Sequence, residues 1–262
     1  MKTVIELESD SAKVLTTHDD GTITRKVISM NSLCTVLSSV AKDFEMVIPP
    51  GCRKIYESKS YAMYVFVAPS FIGNAVTLWG DHDISKHGKL EEYKPTEEMT
   101  RSFARGYSRE AVRVFKIPYP ATAVGVLVRK EKDGSFSFVK MYCYALKTHY
   151  GDYNNYEAFA WPYTNVFSSG ECCIGSIVTK YENVEALAGV PKYIFNGICN
   201  HDLSGPGNIV SDPGSGSSFG KVNDSFELMV KCRDEETFPW EYLKSMGNLN
   251  SILANIMANF NN

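Results

Sequence analysis

The sequence predicts an α+β protein built on a central antiparallel β-meander, and three observations carry that prediction. Residues 121–128 and 136–146 are long β-type runs joined by Lys132-Asp133-Gly134, a strong hairpin-turn sequence. After Pro239, an apolar stripe of Leu243, Met246, Leu249, Leu253, Ile256 and Phe260 predicts a terminal amphipathic helix. Leu33, Val36, Leu37 and Val40 recur at helical spacing behind Asn31, a suitable N-cap, and predict a second flanking helix.

In chain order, Val4–Leu7 and Thr22–Ile28 are β-like, with Asp20-Gly21 as turn chemistry beside them. Pro49-Pro50-Gly51 breaks the chain ahead of strands at 62–67 and 75–79. Residues 81–98 are polar and read as a connection. Pro118 and Pro120 close an irregular stretch before the 121–146 hairpin. In the second strand, Phe136, Phe138, Lys140, Tyr142 and Tyr144 alternate with Ser137, Val139, Met141, Cys143 and Ala145. Both faces are largely apolar, which places the hairpin mid-sheet, covered on each side, with Cys143 in the core. Residues 177–188 show weak helical periodicity ended by Gly189 and Pro191. Residues 204–220 are Gly-, Ser- and Pro-rich and read as a flap near the site. Residues 1–100 are expected to extend the 101–262 core as strands plus one helix, an N-terminal α/β extension.

Composition narrows the function. The chain has 262 residues, 44% hydrophobic and 22% charged, enough to bury a substantial core. A net charge of −3 argues against nucleic-acid binding, because phosphate binding needs a dense cationic face. No apolar run approaches the ~20 residues that span a bilayer, and acids interrupt the apolar N-terminus, so no membrane partner and a cytoplasmic location are expected. Seven cysteines without a regular framework fit reduced thiols.

Chemistry concentrates in Trp161-Pro-Tyr-Thr-Asn-Val-Phe-Ser-Ser-Gly-Glu-Cys-Cys-Ile-Gly175. Asn165 precedes Cys173 by eight positions (173 − 165 = 8), with Gly170 between them. A thiol near a carboxamide suits acyl transfer: the sulfur carries the acyl group and the amide steadies the oxyanion. Asn165 and Cys173 are the candidate catalytic residues. Pro162, Tyr163, Thr164, Gly170, Glu171 and Cys172 form the supporting loop.

This segment resembles the active-site stretch of ubiquitin-conjugating enzymes. In those enzymes His-Pro-Asn is followed by an aliphatic residue, a Gly turn, a hydrophobic residue and the catalytic cysteine. Asn165 matches the asparagine, Cys172 the buried hydrophobic position and Cys173 the cysteine. The wider pattern is similar to the bacterial ubiquitin-conjugating family D, which includes protein B of plasmid PRTRC systems. Ile117-Pro-Tyr-Pro120, Pro162 and Tyr193-Ile-Phe195 with His201 add to it, over roughly residues 115 to 202. The resemblance implies a ubiquitin-conjugating-like fold. It also implies thioester transfer in a bacterial or mobile-element pathway, without cofactor, nucleotide or metal. The implied partners are an activating enzyme and a ubiquitin-like protein encoded nearby, with a JAB-like isopeptidase in the same operon. Tyr163 and Thr164 replace the His and Pro of the motif. Glu171, two residues before Cys173, is a charge that favours a protonated thiol.

Other chemistries compete. An inactive member of the same fold would serve as a protein-binding scaffold in a plasmid, phage or integrative element. A cysteine peptidase would pair Cys173 with His201 or His149. Zinc would recruit Cys172, Cys173, Cys199 and His201 at spacings that are unusual for zinc, while His82 and His87, five apart, would make a metal pair without further clustered ligands. Gly220-Lys221 lacks the remainder of a P-loop, since Ser215 stands where glycine is required and Val222 follows the lysine.

Overall fold

The computed structural model describes residues 2–7, 11–29, 48–78, 112–175, 178–199, 203 and 207–260. The expected helix at 33–40, the polar segment with His82 and His87, and His201 lie outside the described residues. The chain divides into two compact units, Met1–Val47 and Ile48–Asn262.

The first unit contains an antiparallel three-stranded sheet of β1 (Lys2–Leu7), β2 (Ser11–Thr17) and β3 (Ile23–Ser29). Its second turn runs through Asp19-Asp20-Gly21. Gly21 has φ of 81° and donates to the His18 carbonyl, while His18 N–H donates to the Thr22 carbonyl. A left-handed third residue is what a three-residue hairpin loop requires, and glycine adopts it at little cost.

The second unit is built on a seven-stranded antiparallel sheet. Its strands are β4 (Cys52–Glu57), β5 (Tyr61–Ala68), β8 (Ala121–Lys130), β9 (Phe136–Leu146), β10 (Glu157–Ala160), β11 (Lys180–Tyr181) and β12 (Ser245–Asn248). The order is β12-β10-β9-β8-β5-β4, with β11 also pairing β9. A separate antiparallel pair, β6 (Phe71–Leu78) and β7 (Val112–Tyr119), lies outside that order. The α+β class and the central 121–146 hairpin follow the sequence expectation. The turn repeats the construction at Gly21: Gly134 has φ of 82° and donates to Glu131, and Glu131 N–H donates to Ser135.

Alternation sends side chains to opposite sheet faces, and both faces are buried. Val124, Val126, Met141, Cys143 and Ala145 belong to one core cluster, together with Phe115 and Ile117 of β7. Ala123, Leu127, Tyr142 and Tyr144 belong to a second. That second face is covered by helix α3 (Leu249–Ala258), through Leu249, Leu253 and Met257. Two shorter helices, α1 (Lys192–Asn196) and α2 (Ser225–Cys232), contribute Ile194, Phe226, Leu228 and Met229 to the first cluster.

Four sequence expectations are corrected. Residues 239–248 are not helical. They form a 3-10 turn at Trp240–Tyr242 and then β12, because Gly247 turns the chain at φ of 95° and Asn248 caps α3 by accepting from Ser251 N–H at 2.9 Å. The apolar stripe therefore splits, with Leu243 on one face of the sheet and Leu249 and Leu253 on the other. Pro118 lies inside β7, opposite Ile72, in a two-stranded pair whose outer edge leaves a missing N–H uncostly. Residues 178–189 are not one helix: β11 pairs with β9, a 3-10 turn covers Glu185–Gly189, and Pro191 caps α1. The described part of the Gly/Ser-rich segment, 207–220, is tied down, with Asn208 donating to the Val166 carbonyl at 2.7 Å and Tyr242 hydroxyl bonding Gly220. No described helix is long and apolar enough to cross a membrane.

Candidate functional site

Three short segments share one edge of β9. Strand β10 pairs with Tyr144–Leu146, residues 170–172 pair with Met141–Cys143, and β11 pairs with Phe136 and Ser137. Cys143 N–H donates to Gly170 and Cys172 N–H to Met141, each at 2.8 Å. Cys173 is where the chain leaves this edge.

The eight-residue spacing of Asn165 and Cys173 is the spacing of a tight hairpin. Cys173 N–H donates to the Asn165 carbonyl at 2.8 Å, so the two residues face each other. Val166 bridges Cys172, and Phe167 N–H donates to Glu171 at 2.8 Å. The loop is Ser168-Ser169-Gly170, with Gly170 at φ of 88°. No other residue fits there, because a Cβ would penetrate the Tyr144 ring, whose hydroxyl donates to the Ser169 carbonyl at 2.9 Å.

The supporting residues anchor this hairpin in the core. Pro162, Tyr163 and Thr164 are buried. Tyr163 hydroxyl donates to the Pro118 carbonyl at 2.5 Å. Thr164 sits beside the Cys199 thiol, which burial pushes up to about 11 despite that hydroxyl. Tyr163 and Thr164 are thus held by core contacts. Cys172 is buried against Cys143, whose thiol burial and the neighbouring Cys172 push well up. Glu171 turns to the other side of the strand, and its carboxylate meets Lys140 Nζ at 2.8 Å. Its negative charge is therefore compensated by a cation, which the sequence reading did not foresee.

Among the described cysteines Cys173 alone is exposed. It opens onto a cleft of about 660 Å³ that also takes in Asn165. The lining also includes Tyr181, Gly189 at the end of the 3-10 turn, Val190, Lys192, Tyr193 and Gly197. Asn165 sits at φ of 67°, a left-handed conformation that Asn tolerates better than most residues. Its side-chain nitrogen donates to the Ile198 carbonyl at 3.0 Å. A Cβ at Gly197 would crowd the Tyr193 carbonyl at 2.9 Å and stand in ordinary contact, 3.6 Å, with the Asn165 amide.

The structure thus brings Asn165, Gly170 and Cys173 together. It does not bring His149 to them: that ring packs on Tyr150 at 3.7 Å, and the cleft lining contains no histidine, aspartate or glutamate among the described residues. No group of three or more potential metal ligands occurs among the described residues. Sequence reasoning missed Tyr181, Lys192 and Gly197, which tertiary folding alone brings to the cleft.

No protein family, curated protein or solved structure matches this chain.

Proposed function

We propose that Cys173 carries an acyl group as a thioester and passes it to an amine, in the manner of a ubiquitin-conjugating enzyme. The observation that carries this reading is that Cys173, with its exposed thiol, and Asn165 line one cleft, the Cys173 main-chain N–H donating to the Asn165 main-chain carbonyl. A carboxamide nitrogen has two hydrogens. Ile198 takes one, which orients the group and leaves the second for an oxyanion. The segment bearing the cysteine pairs along one edge of the antiparallel sheet, at β9.

On this reading an activating enzyme delivers a ubiquitin-like protein by transthiolation. The incoming thioester carbon is attacked by the Cys173 thiolate, and the enzyme's own thiol leaves. No step requires a metal or nucleotide at this site. The test is incubation with an activating enzyme, its ubiquitin-like protein and ATP, using partners encoded nearby. The reading requires a thiol-labile adduct that Cys173→Ser loses and Cys172→Ala keeps.

One observation favours a second reading, a scaffold of the same fold without transfer activity. The Asn165 amide already bonds Ile198, and that bond alone gives it a structural role. Binding of the ubiquitin-like protein without any adduct would decide for the scaffold. The peptidase reading has no described base in the cleft to support it.

A further inference from the structure

We propose that a second cavity, at the end of β7, binds a quaternary ammonium group, the head of a choline-type molecule or of a trimethylated lysine. The cavity measures about 240 Å³ and is lined by four aromatic residues, Phe71, Tyr119, Phe238 and Trp240, and by Glu236. It shares no lining residue with the Cys173 cleft.

The rings come in two pairs from different parts of the chain. Phe71, at the start of β6, lies flat on Tyr119, at the end of β7, with centroids 4.8 Å apart and planes 12° from parallel. Phe238 and Trp240 meet at 5.9 Å and 70°. The buried Tyr163 ties the pairs together: its ring stands nearly perpendicular to Tyr119 at 5.4 Å and to Phe238 at 5.8 Å. Two hydrogen bonds fasten the loop after α2 along the end of β7. Asp234 N–H donates to the Lys116 carbonyl at 2.8 Å, and Tyr163 hydroxyl donates to the Pro118 carbonyl at 2.5 Å. The cavity is thus preformed, and a ligand need not order it.

The chemistry of the lining selects the ligand. An aromatic face attracts a cation within about 6 Å of the ring centroid. Among the described lining residues Glu236 is the one charged side chain, and its charge is negative. Phe71 keeps 37% of its surface exposed and Trp240 is half-buried, so ring surface is left for a partner. A volume below the roughly 300 Å³ of a drug-sized site suits a single head group. A primary ammonium has three N–H donors to satisfy, and ring faces accept them poorly. A quaternary ammonium has no donor, and its methyl groups pack on the rings while Glu236 balances the charge.

Proton NMR of choline and of N-acetyl-trimethyllysine amide, titrated with the full chain, tests this. Methyl protons seated on aromatic faces shift upfield, whereas attraction to a surface carboxylate alone leaves them in place. The expected result is a saturable upfield shift of the N-methyl line, with an affinity about tenfold above that of the probe's neutral isostere, in which carbon replaces the charged nitrogen. The tighter of the two probes names the source of the head group. Trp240→Leu should weaken binding about tenfold, and Glu236→Gln about threefold or more. A neutral isostere that binds equally well overturns the inference, because the cavity would then be merely apolar. So does a native protein that shifts neither probe. Unchanged affinity in Glu236→Gln, at an exposed position where the fold tolerates the change, overturns it as well.

Discussion

The turns at 131–135 and 167–171 have the same backbone design and opposite surroundings. In each, two polar residues and a glycine form a three-residue loop closed by the same pair of hydrogen bonds, with glycine φ of 82° in one and 88° in the other. A side chain at Gly134 would meet nothing within 4 Å, whereas one at Gly170 would enter the Tyr144 ring. The first turn connects two strands at an exposed tip. The second is pressed onto the sheet, and its two ends present Asn165 and Cys173. Local sequence therefore specifies the turn, and tertiary packing alone separates a connection from a site.

The largest expected effect separates the two glycines. Gly134→Ala places a Cβ in left-handed backbone with open space around it and should cost about 1–2 kcal/mol. Gly170→Ala adds overpacking against Tyr144 and should cost about 2–5 kcal/mol in urea unfolding. Equal costs would mean that Gly170 does not bear on Tyr144.

The two turns should also differ in pH response. The buried Cys199 thiol behind Thr164 is raised from 9.0 to about 11, so the folded state holds its proton after the unfolded chain has lost it. Its contribution to stability is complete below about pH 9 and is lost as pH rises through 11, an effect of up to about 3 kcal/mol. Cys199→Ala should flatten that part of the alkaline limb. At the exposed tip, Ser135 and Lys180 depress the Asp133 carboxyl from 3.8. That contribution is present above pH 3.8 and is lost on acidification, so Asp133→Asn should alter the acid limb instead.

A smaller effect is expected at Asn165. Asn165→Ala loses the bond to Ile198 and strains the left-handed backbone, for about 1–2 kcal/mol. Asn165→Gly relieves the strain and should recover most of that loss, and thermal unfolding of both variants checks it. Smallest of all is the thermodynamic effect of Cys173→Ser, within about 0.5 kcal/mol for an exposed position. In the native protein, mass spectrometry of iodoacetamide-treated protein should find Cys173 labelled ahead of Cys143, Cys172, Cys199 and Cys232. Faster labelling of any of those buried thiols would contradict the hairpin geometry.

How much was legible in the sequence follows from the same contrast. The alternation through β9 and the Lys-Asp-Gly turn were readable because both are local. The spacing of Asn165, Gly170 and Cys173 was readable because a hairpin is local as well. The Asp224 cap of α2, which accepts from Glu227 N–H at 2.8 Å, was a readable signal that went unused. The C-terminal stripe misled because Leu243 and Leu249 are both apolar but serve opposite faces of one sheet. The rest of the cleft lining was illegible, since nothing local in 181–198 says that it joins residue 173 there. The partner of Glu171 was hidden for the same reason, because Lys140 lies 31 residues away.

The central claim, that the 165–173 hairpin pairs a thiol with an oxyanion donor, is tested most directly by single-turnover discharge. Cys173 is first loaded with an acyl group, and its transfer to an added amine is then timed in the native protein and in Asn165→Gly. The account predicts loading to the same extent in both and discharge slower by about a hundredfold in the variant. Discharge at an unchanged rate, or a native protein that cannot be loaded at Cys173, would contradict it.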